Sequence, residues 1–349
     1  MPPAGPVTLT DVARRAGVSL ATASRALHGG DRTVGDALRE RVLAAAAELD
    51  YTPNAQAQAM ARGRTDMIGL LVHDIADPYF SSIAAGVIEA AEPHGLLVTV
   101  ASTVRRPERE LRYVAALRRQ RARAVILAGS RDDDPDLLRR LGAELTGFAS
   151  TGGRVVLIGQ RALGLDTVVV ENRSGARALG RALLELGHRR FGVLAGPRGL
   201  LTARDRLAGF REALRHAGAE LPDPYVIHGE FTRDGGYAAM SQLLDRAADA
   251  STPGATCVFA VNDVMAVGAV AALRDRGVRV PDEIAVAGFD DIDTLHDITP
   301  ALTTVRLPLE RLGATAVELM TQPPADRPRL RRIAGEVVVR ASTPPLAAR

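Results

Sequence analysis

The 349-residue chain contains no lysine and no tryptophan, a single cysteine, and only 3% aromatic residues. One cysteine excludes an intrachain disulfide, and Cys257 sits in an apolar run where a small buried hydrophobe is expected rather than a nucleophile. No uncharged apolar run approaches the ~20 residues that a membrane helix needs. The start of the chain lacks a basic segment followed by an apolar core, so no secretion signal is expected and the cytoplasm is the expected location. The motifs G-x-S-x-G, G-x-x-x-x-G-K-S/T and G-x-G-x-x-G are absent, and the seven histidines show no metal-ligand spacing. Nothing therefore points to an enzyme, a cofactor or a metal.

All the positive charge is arginine. Residues 1 to 64 hold eight arginines against six acids, and the remainder is close to neutral. A mildly basic head on a near-neutral body fits nucleic-acid binding.

The most telling stretch is "VTLTDVARRAGVSLATASRAL", Val7 to Leu27. Val12, Ala13 and Ala16 recur at helical spacing. Gly17 follows where a left-handed residue can end a helix, and Ser19 can cap a second helix over Leu20 to Leu27 with Ala23 and Leu27 inward. The other face offers Leu20, Ala21, Thr22, Ser24 and Arg25, short groups plus one guanidinium suited to base edges and phosphates. A third amphipathic helix is expected over 36–49, with Leu38, Val42, Leu43, Ala46 and Leu49 on one side. "YTPN" follows, and then a short stretch over 54–61 in which Asn54 is a good cap. Isolated helices need roughly 12–15 residues in water, so this one needs outside support.

Val7 to Gly69 resembles the head of the LacI/GalR family of bacterial transcription regulators. The matching segments, in the family's order and spacing, are "VTLTDVARRAGVS", "ATASRAL", "LDYTPNAQAQAMARGRT" and "MIGLL". The resemblance implies a helix-turn-helix head over 1–50 and a hinge helix over 51–65. The second helix would read the operator's major groove through Leu20, Ala21 and Arg25, with Thr10, Ser19, Thr22, Ser24, Asn54 and Ala57 completing the DNA-facing set. The hinge helix would pair with its dimer mate in the minor groove and wedge an apolar side chain between base pairs. That wedge is usually leucine; Met60 stands there, apolar and flexible. Gly35 replaces the serine-type cap usual before the third helix.

From Met67 onward, runs of strand length alternate with helical patterns. Strands are expected at 67–72, 96–102, 124–129, 154–159, 167–171, 190–195, 225–228, 256–261, 284–288, 301–306 and 336–340. The alternation implies an α/β core of doubly wound parallel sheets covered by helices on both faces. The strand count fits two sheets with a cleft between them, which resembles the two-lobed periplasmic-binding-protein-like core of the same family. That core would occupy 66–349, with an N-lobe of 66–170 and 299–327 and a C-lobe of 171–298 and 328–349. The chain would cross between lobes near 170, 298 and 328.

Ligands of open α/β folds sit beyond the carboxyl ends of the strands. There the chain places Tyr79, Phe80, Thr202, Arg206, Phe231, Asn262 and Asp290. Aromatic faces, an arginine and Asp/Asn groups are what a sugar requires. Gln160 stands where many sugar-responsive relatives carry an aspartate, and Leu200 where the purine-responsive branch is expected to carry an arginine. The expected partners are thus palindromic operator DNA, a sugar-like effector and a second copy of the chain, since no leucine heptad for a tetramer follows the core. A solute-binding transport protein shares the core fold and is the rival reading, but it would have no DNA head.

Overall fold

The computed structural model describes residues 7–28, 34–52, 63–219, 221–249 and 254–346. The chain divides into two compact units, Met1–Thr65 and Asp66–Arg349.

In the first unit, α1 (Leu9–Ala16), α2 (Leu20–His28) and α3 (Asp36–Glu48) enclose a small core of Val12, Ala13, Ala16, Ala23, Ala26, Val42, Ala45 and Ala46. The Asp11 carboxylate accepts from the Thr8 amide at 3.0 Å and from the Thr8 hydroxyl at 2.6 Å, which fixes the start of α1. These two bonds hold the Asp11 pKa below the usual carboxylate range. Gly17, at φ 62°, ends α1 in the left-handed region, so Val18 can bond back to the Ala13 carbonyl at 3.0 Å. Ser19 Oγ accepts from the Thr22 amide at 3.1 Å and caps α2. On α3 the expected inward face is only partly right. Leu38 and Leu43 are exposed, and Ala45 and Ala46 fill the core beside Val42.

The second unit holds two parallel sheets. The first is six-stranded, in the order β11-β5-β4-β3-β1-β2. Its strands are β1 (Met67–Val72), β2 (Leu97–Ser102), β3 (Ala124–Ala128), β4 (Arg154–Gly159), β5 (Asp166–Val170) and β11 (Leu330–Ile333). Helix α4 (Pro78–Ala91) covers one face beside α11 (Leu309–Thr321), while α5 (Pro107–Arg119) and α6 (Pro135–Ser150) cover the other. Because side chains alternate along a strand, Leu70 and Val72 join the α4 side and Leu71 the α5 side. Helices α4 and α11 meet backbone to backbone. A Cβ on Gly86 would lie 2.0 Å from the Glu310 carbonyl oxygen, and one on Gly313 2.3 Å from that of Ile83.

The second sheet has four strands in the order β7-β6-β8-β9. They are β6 (Phe191–Leu194), β7 (Val226–Ile227), β8 (Cys257–Ala260) and β9 (Ala285–Ala287). It carries α7 (Asn172–Glu185), α8 (Leu201–His216), α9 (Arg233–Asp249) and α10 (Asp263–Asp275). A separate antiparallel pair joins β10 (Thr304–Arg306) to β12 (Glu336–Val338).

Two of the expected lobe boundaries shift. Thr303 bridges Ala287 and Arg306 bridges Asp290, so the chain stays with the second lobe until Arg306 and leaves it only before α11, not near 298. Residues 330–333 pair with β5 in the first lobe's sheet, so the return falls beyond Ile333, not near 328. This edge strand reads "LRRI" and exposes both arginines. Two adjacent exposed arginines leave it no apolar run and no alternation to reveal it.

Candidate functional site

At the carboxyl ends of the two sheets, the lobes close on a cavity of about 30 Å³. That is space for about one water. The second lobe contributes its most constrained wall. Arg206, on α8, is 2% exposed. Its Nε donates to Asn172 Oδ1 at 2.8 Å, its Nη1 to the Val261 carbonyl at 2.7 Å and its Nη2 to Asp290 Oδ1 at 2.7 Å. The guanidinium also lies 3.8 Å from the Phe289 ring centroid. An arginine this buried is tolerated because each of its three nitrogens has an acceptor.

Asp290 itself sits at φ 125° and Asp291 at φ 58°, a conformation that side-chain-bearing residues rarely adopt. The neighbouring groups hold this turn in place. Asp263, fully buried at the start of α10, accepts from the Asp291 amide at 2.5 Å, the Ile292 amide at 3.2 Å and the Thr304 hydroxyl at 2.7 Å. Asp291 in turn pairs with Arg306 at 2.7 Å and Arg340 at 2.6 Å. Burial pushes Asp263 up to about 6 against those three hydrogen bonds. Burial also raises Asp290, and the Arg206 guanidinium opposes it. Asn262 Oδ1 caps α10 by accepting from the Met265 amide at 3.0 Å, leaving its amide nitrogen for the cavity.

The first lobe's wall is aromatic and more loosely tied. Asp77 caps α4 through the Tyr79 amide at 3.0 Å. Tyr79 meets Phe80 edge to face at 5.0 Å, and Phe80 meets His73 at 5.5 Å. Burial beside two positive arginines, Arg131 and Arg105, drives the His73 pKa well below its ordinary value, so the ring is neutral. Arg105 reaches across to the second lobe, donating to the Phe231 carbonyl at 3.3 Å with its guanidinium 5.4 Å from that ring's centroid.

Beside the cavity, a strip of backbone locks the lobes together. Leu201 N donates to the Arg131 carbonyl at 3.0 Å, Asp133 N to the Gly199 carbonyl at 3.1 Å, and Thr202 N to Ser130 Oγ at 3.0 Å. Arg204 pairs with Asp133 at 3.0 Å.

Seven of the eight expected effector residues line the cavity: Tyr79, Phe80, Thr202, Arg206, Phe231, Asn262 and Asp290. Gln160 does not. Its Nε2 donates to Thr202 Oγ1 at 2.6 Å and its Oε1 accepts from the Arg131 amide at 3.1 Å, so it belongs to the latch. Sequence reasoning missed His73, Asp77, Arg105 and Ser130, which also line the cavity. His73, Arg105 and Ser130 lie within three residues of the ends of β1, β2 and β3, so the same strand-end rule could have found them.

In the head, Thr10, Ser19, Leu20 and Ala21 are exposed, and Thr22, Ser24 and Arg25 are half-buried. Arg25 Nε folds back onto the Ala21 carbonyl at 3.0 Å. Asn54, Ala57 and Met60 lie outside the described residues. Among the described residues no cluster of His, Cys, Asp and Glu could hold a metal, and no helix is long and apolar enough to cross a membrane.

Residues 8–54 match the model of bacterial regulatory proteins of the lacI family, and 181–343 match a periplasmic binding protein-like domain. The HTH-type transcriptional regulator DegA of Bacillus subtilis (strain 168) is 31% identical over 97% of this chain and 98% of its own length. The chain belongs to the LacI family. This LacI-family chain is a ligand-responsive, DNA-binding transcriptional regulator, like the curated relatives it matches. The transcriptional regulator CelR in complex with cellobiose superposes with TM-score 0.70 at 34% identity, covering 96% of this chain and 99% of that one. The lac repressor dimer bound to operator and the anti-inducer ONPF superposes with TM-score 0.82 at 28% identity, covering 97% and 100%. The match over 8–54 disfavours the solute-binding transport reading.

Proposed function

We propose that this regulator is a homodimeric repressor of a carbohydrate uptake or catabolism operon, acting in the cytoplasm on a palindromic operator and released by a small sugar. The observation that carries the sugar reading is one cavity in which Arg206, Asp290, Asn262 and Phe231 of the second lobe meet Tyr79 and Phe80 of the first. Paired donors and acceptors opposite flat apolar rings suit a polyhydroxylated ring. Leu200, an apolar residue, lines the same cavity and suits such a ring better than a charged purine contact would. Cellobiose bound to the CelR relative is in keeping with this chemistry.

On the DNA side, Leu20, Ala21 and Arg25 read base edges, with Thr10, Ser19, Thr22 and Ser24 beside them. Asn54, Ala57 and Met60 belong to the hinge that enters the minor groove. A cavity with space for about one water must widen before a sugar enters. Effector binding therefore draws on a different lobe arrangement, and that difference is what the hinge and heads sense. The test is a mobility-shift assay on a palindromic DNA pool with and without a sugar library. At least one sugar should release the DNA. Arg25→Ala should weaken operator binding by about 1–3 kcal/mol without changing sugar affinity. DNA binding that no sugar alters would overturn the reading.

A further inference from the structure

Beside the interlobe cavity lies a second recess of about 210 Å³, and the two share His73, Arg105, Ser130 and Leu200 as a common wall. The recess is bounded by the first turns of α5 and α6, with Leu111, Leu137, Leu138 and Leu141 forming an apolar side. Its charged side holds Arg131, which is 6% exposed and bonded to Glu110 through Nη1 alone. Nη2 of Arg131 and Nε of Arg105 are buried donors without a partner. Buried guanidinium N–H groups are nearly always satisfied, so unpartnered ones on the residues of one recess mark where an acceptor belongs. Arg105 stands between the two spaces, donating through Nη1 to the Phe231 carbonyl at 3.3 Å.

We infer that this recess is the second half of the effector site and that the effector is a neutral disaccharide or glycoside. This rests on the sugar reading above. The first ring lies between the lobes against Arg206, Asp290 and Phe231. The second passes Arg105, lays its C–H face on Leu137 and Leu138, and offers ring and hydroxyl oxygens to Arg105 and Arg131. Around the recess Arg105, Arg106 and Arg131 stand with Glu110 and Asp132, and Arg131 is paired with Glu110, so the lining is close to charge balance and fits a neutral ring better than a phosphate. A leucine wall also selects against a strongly hydrated group.

Full-length protein is titrated calorimetrically with glucose and galactose and with cellobiose, gentiobiose, maltose and lactose. At least one disaccharide should bind about tenfold more tightly than its constituent monosaccharides. Leu138→Trp, which fills the recess, should remove that advantage while operator binding and any monosaccharide affinity stay as in the wild type. Leu138→Ala, which keeps the space but thins its wall, should weaken the disaccharide only a few-fold. Monosaccharides binding as tightly as every disaccharide, or a disaccharide affinity unmoved by Leu138→Trp, would overturn the recess but leave the sugar reading standing. If no sugar of either size binds, both fail.

Discussion

On the second lobe, Arg206 spends its guanidinium on Asn172, Val261 and Asp290, and the strained turn beneath it is held by Asp263 and two further arginines. On the first lobe, Arg105 keeps one 3.3 Å bond and an unpartnered Nε, and the aromatic wall is held by packing. One wall is fully bonded without any ligand, whereas the other has donors still to be satisfied. A rigid wall fixes the orientation of a ligand at little entropic cost, and an adaptable one reports that it has arrived. We propose that the second lobe fixes the orientation of the first ring, and that the first lobe and the strip joining it to the second carry the switch.

The sharpest way to break this contrast is at Arg206. Arg206→Ala leaves Asp290 buried without its cation, and denaturant unfolding should show a loss of about 3–5 kcal/mol together with loss of effector binding. Asp263→Asn comes next. It replaces one acceptor oxygen with a donor among three donors, so unfolding should cost about 1–3 kcal/mol and effector affinity should fall with the displaced turn. Stability equal to wild type in either variant would mean that the second lobe's wall is not preset.

Arg105→Ala should behave differently. Melting should shift by less than about 1 kcal/mol, because its bonding is sparse, while calorimetry shows a clear loss of effector affinity. The smallest effect on effector affinity belongs to Gln160→Ala. Removing its bonds to Thr202 and Arg131 should cost about 0.5–1.5 kcal/mol of closure, read as a modest change in effector affinity with operator recognition intact. A large loss of stability for Arg105→Ala would erase the difference between the walls.

Much of this architecture was legible in the chain because buried parallel strands are continuous apolar runs. "MIGLLV" and "RVVLIG" declare β1 and β4 without help from their surroundings. β11 escaped because a short edge strand can carry two adjacent exposed arginines, one on each face, and so shows neither an apolar run nor an alternation. Leu38 and Leu43 misled for a different reason: the fully buried positions of this small head are alanines and valines, and its larger side chains pack at the core's margin. In the site, strand-end reasoning found the aromatic and carboxylate groups but not the role of Gln160. Its partner Thr202 lies on the other lobe, and no local pattern records a contact across 42 residues. Arg105 went unnoticed because its surroundings, "VRRPERE", read as an ordinary charged helix start.

The central claim is that a ligand held by the second lobe's preset wall controls the grip on DNA, and Asp290→Asn tests it most directly. The change preserves the shape of the side chain and a hydrogen bond to Arg206 but removes the charge pairing. Operator affinity should match wild type, and a sugar that releases wild-type protein from DNA should fail to release the variant at the same concentration. If the sugar releases both proteins equally, the effector is not read between these lobes and the account is wrong.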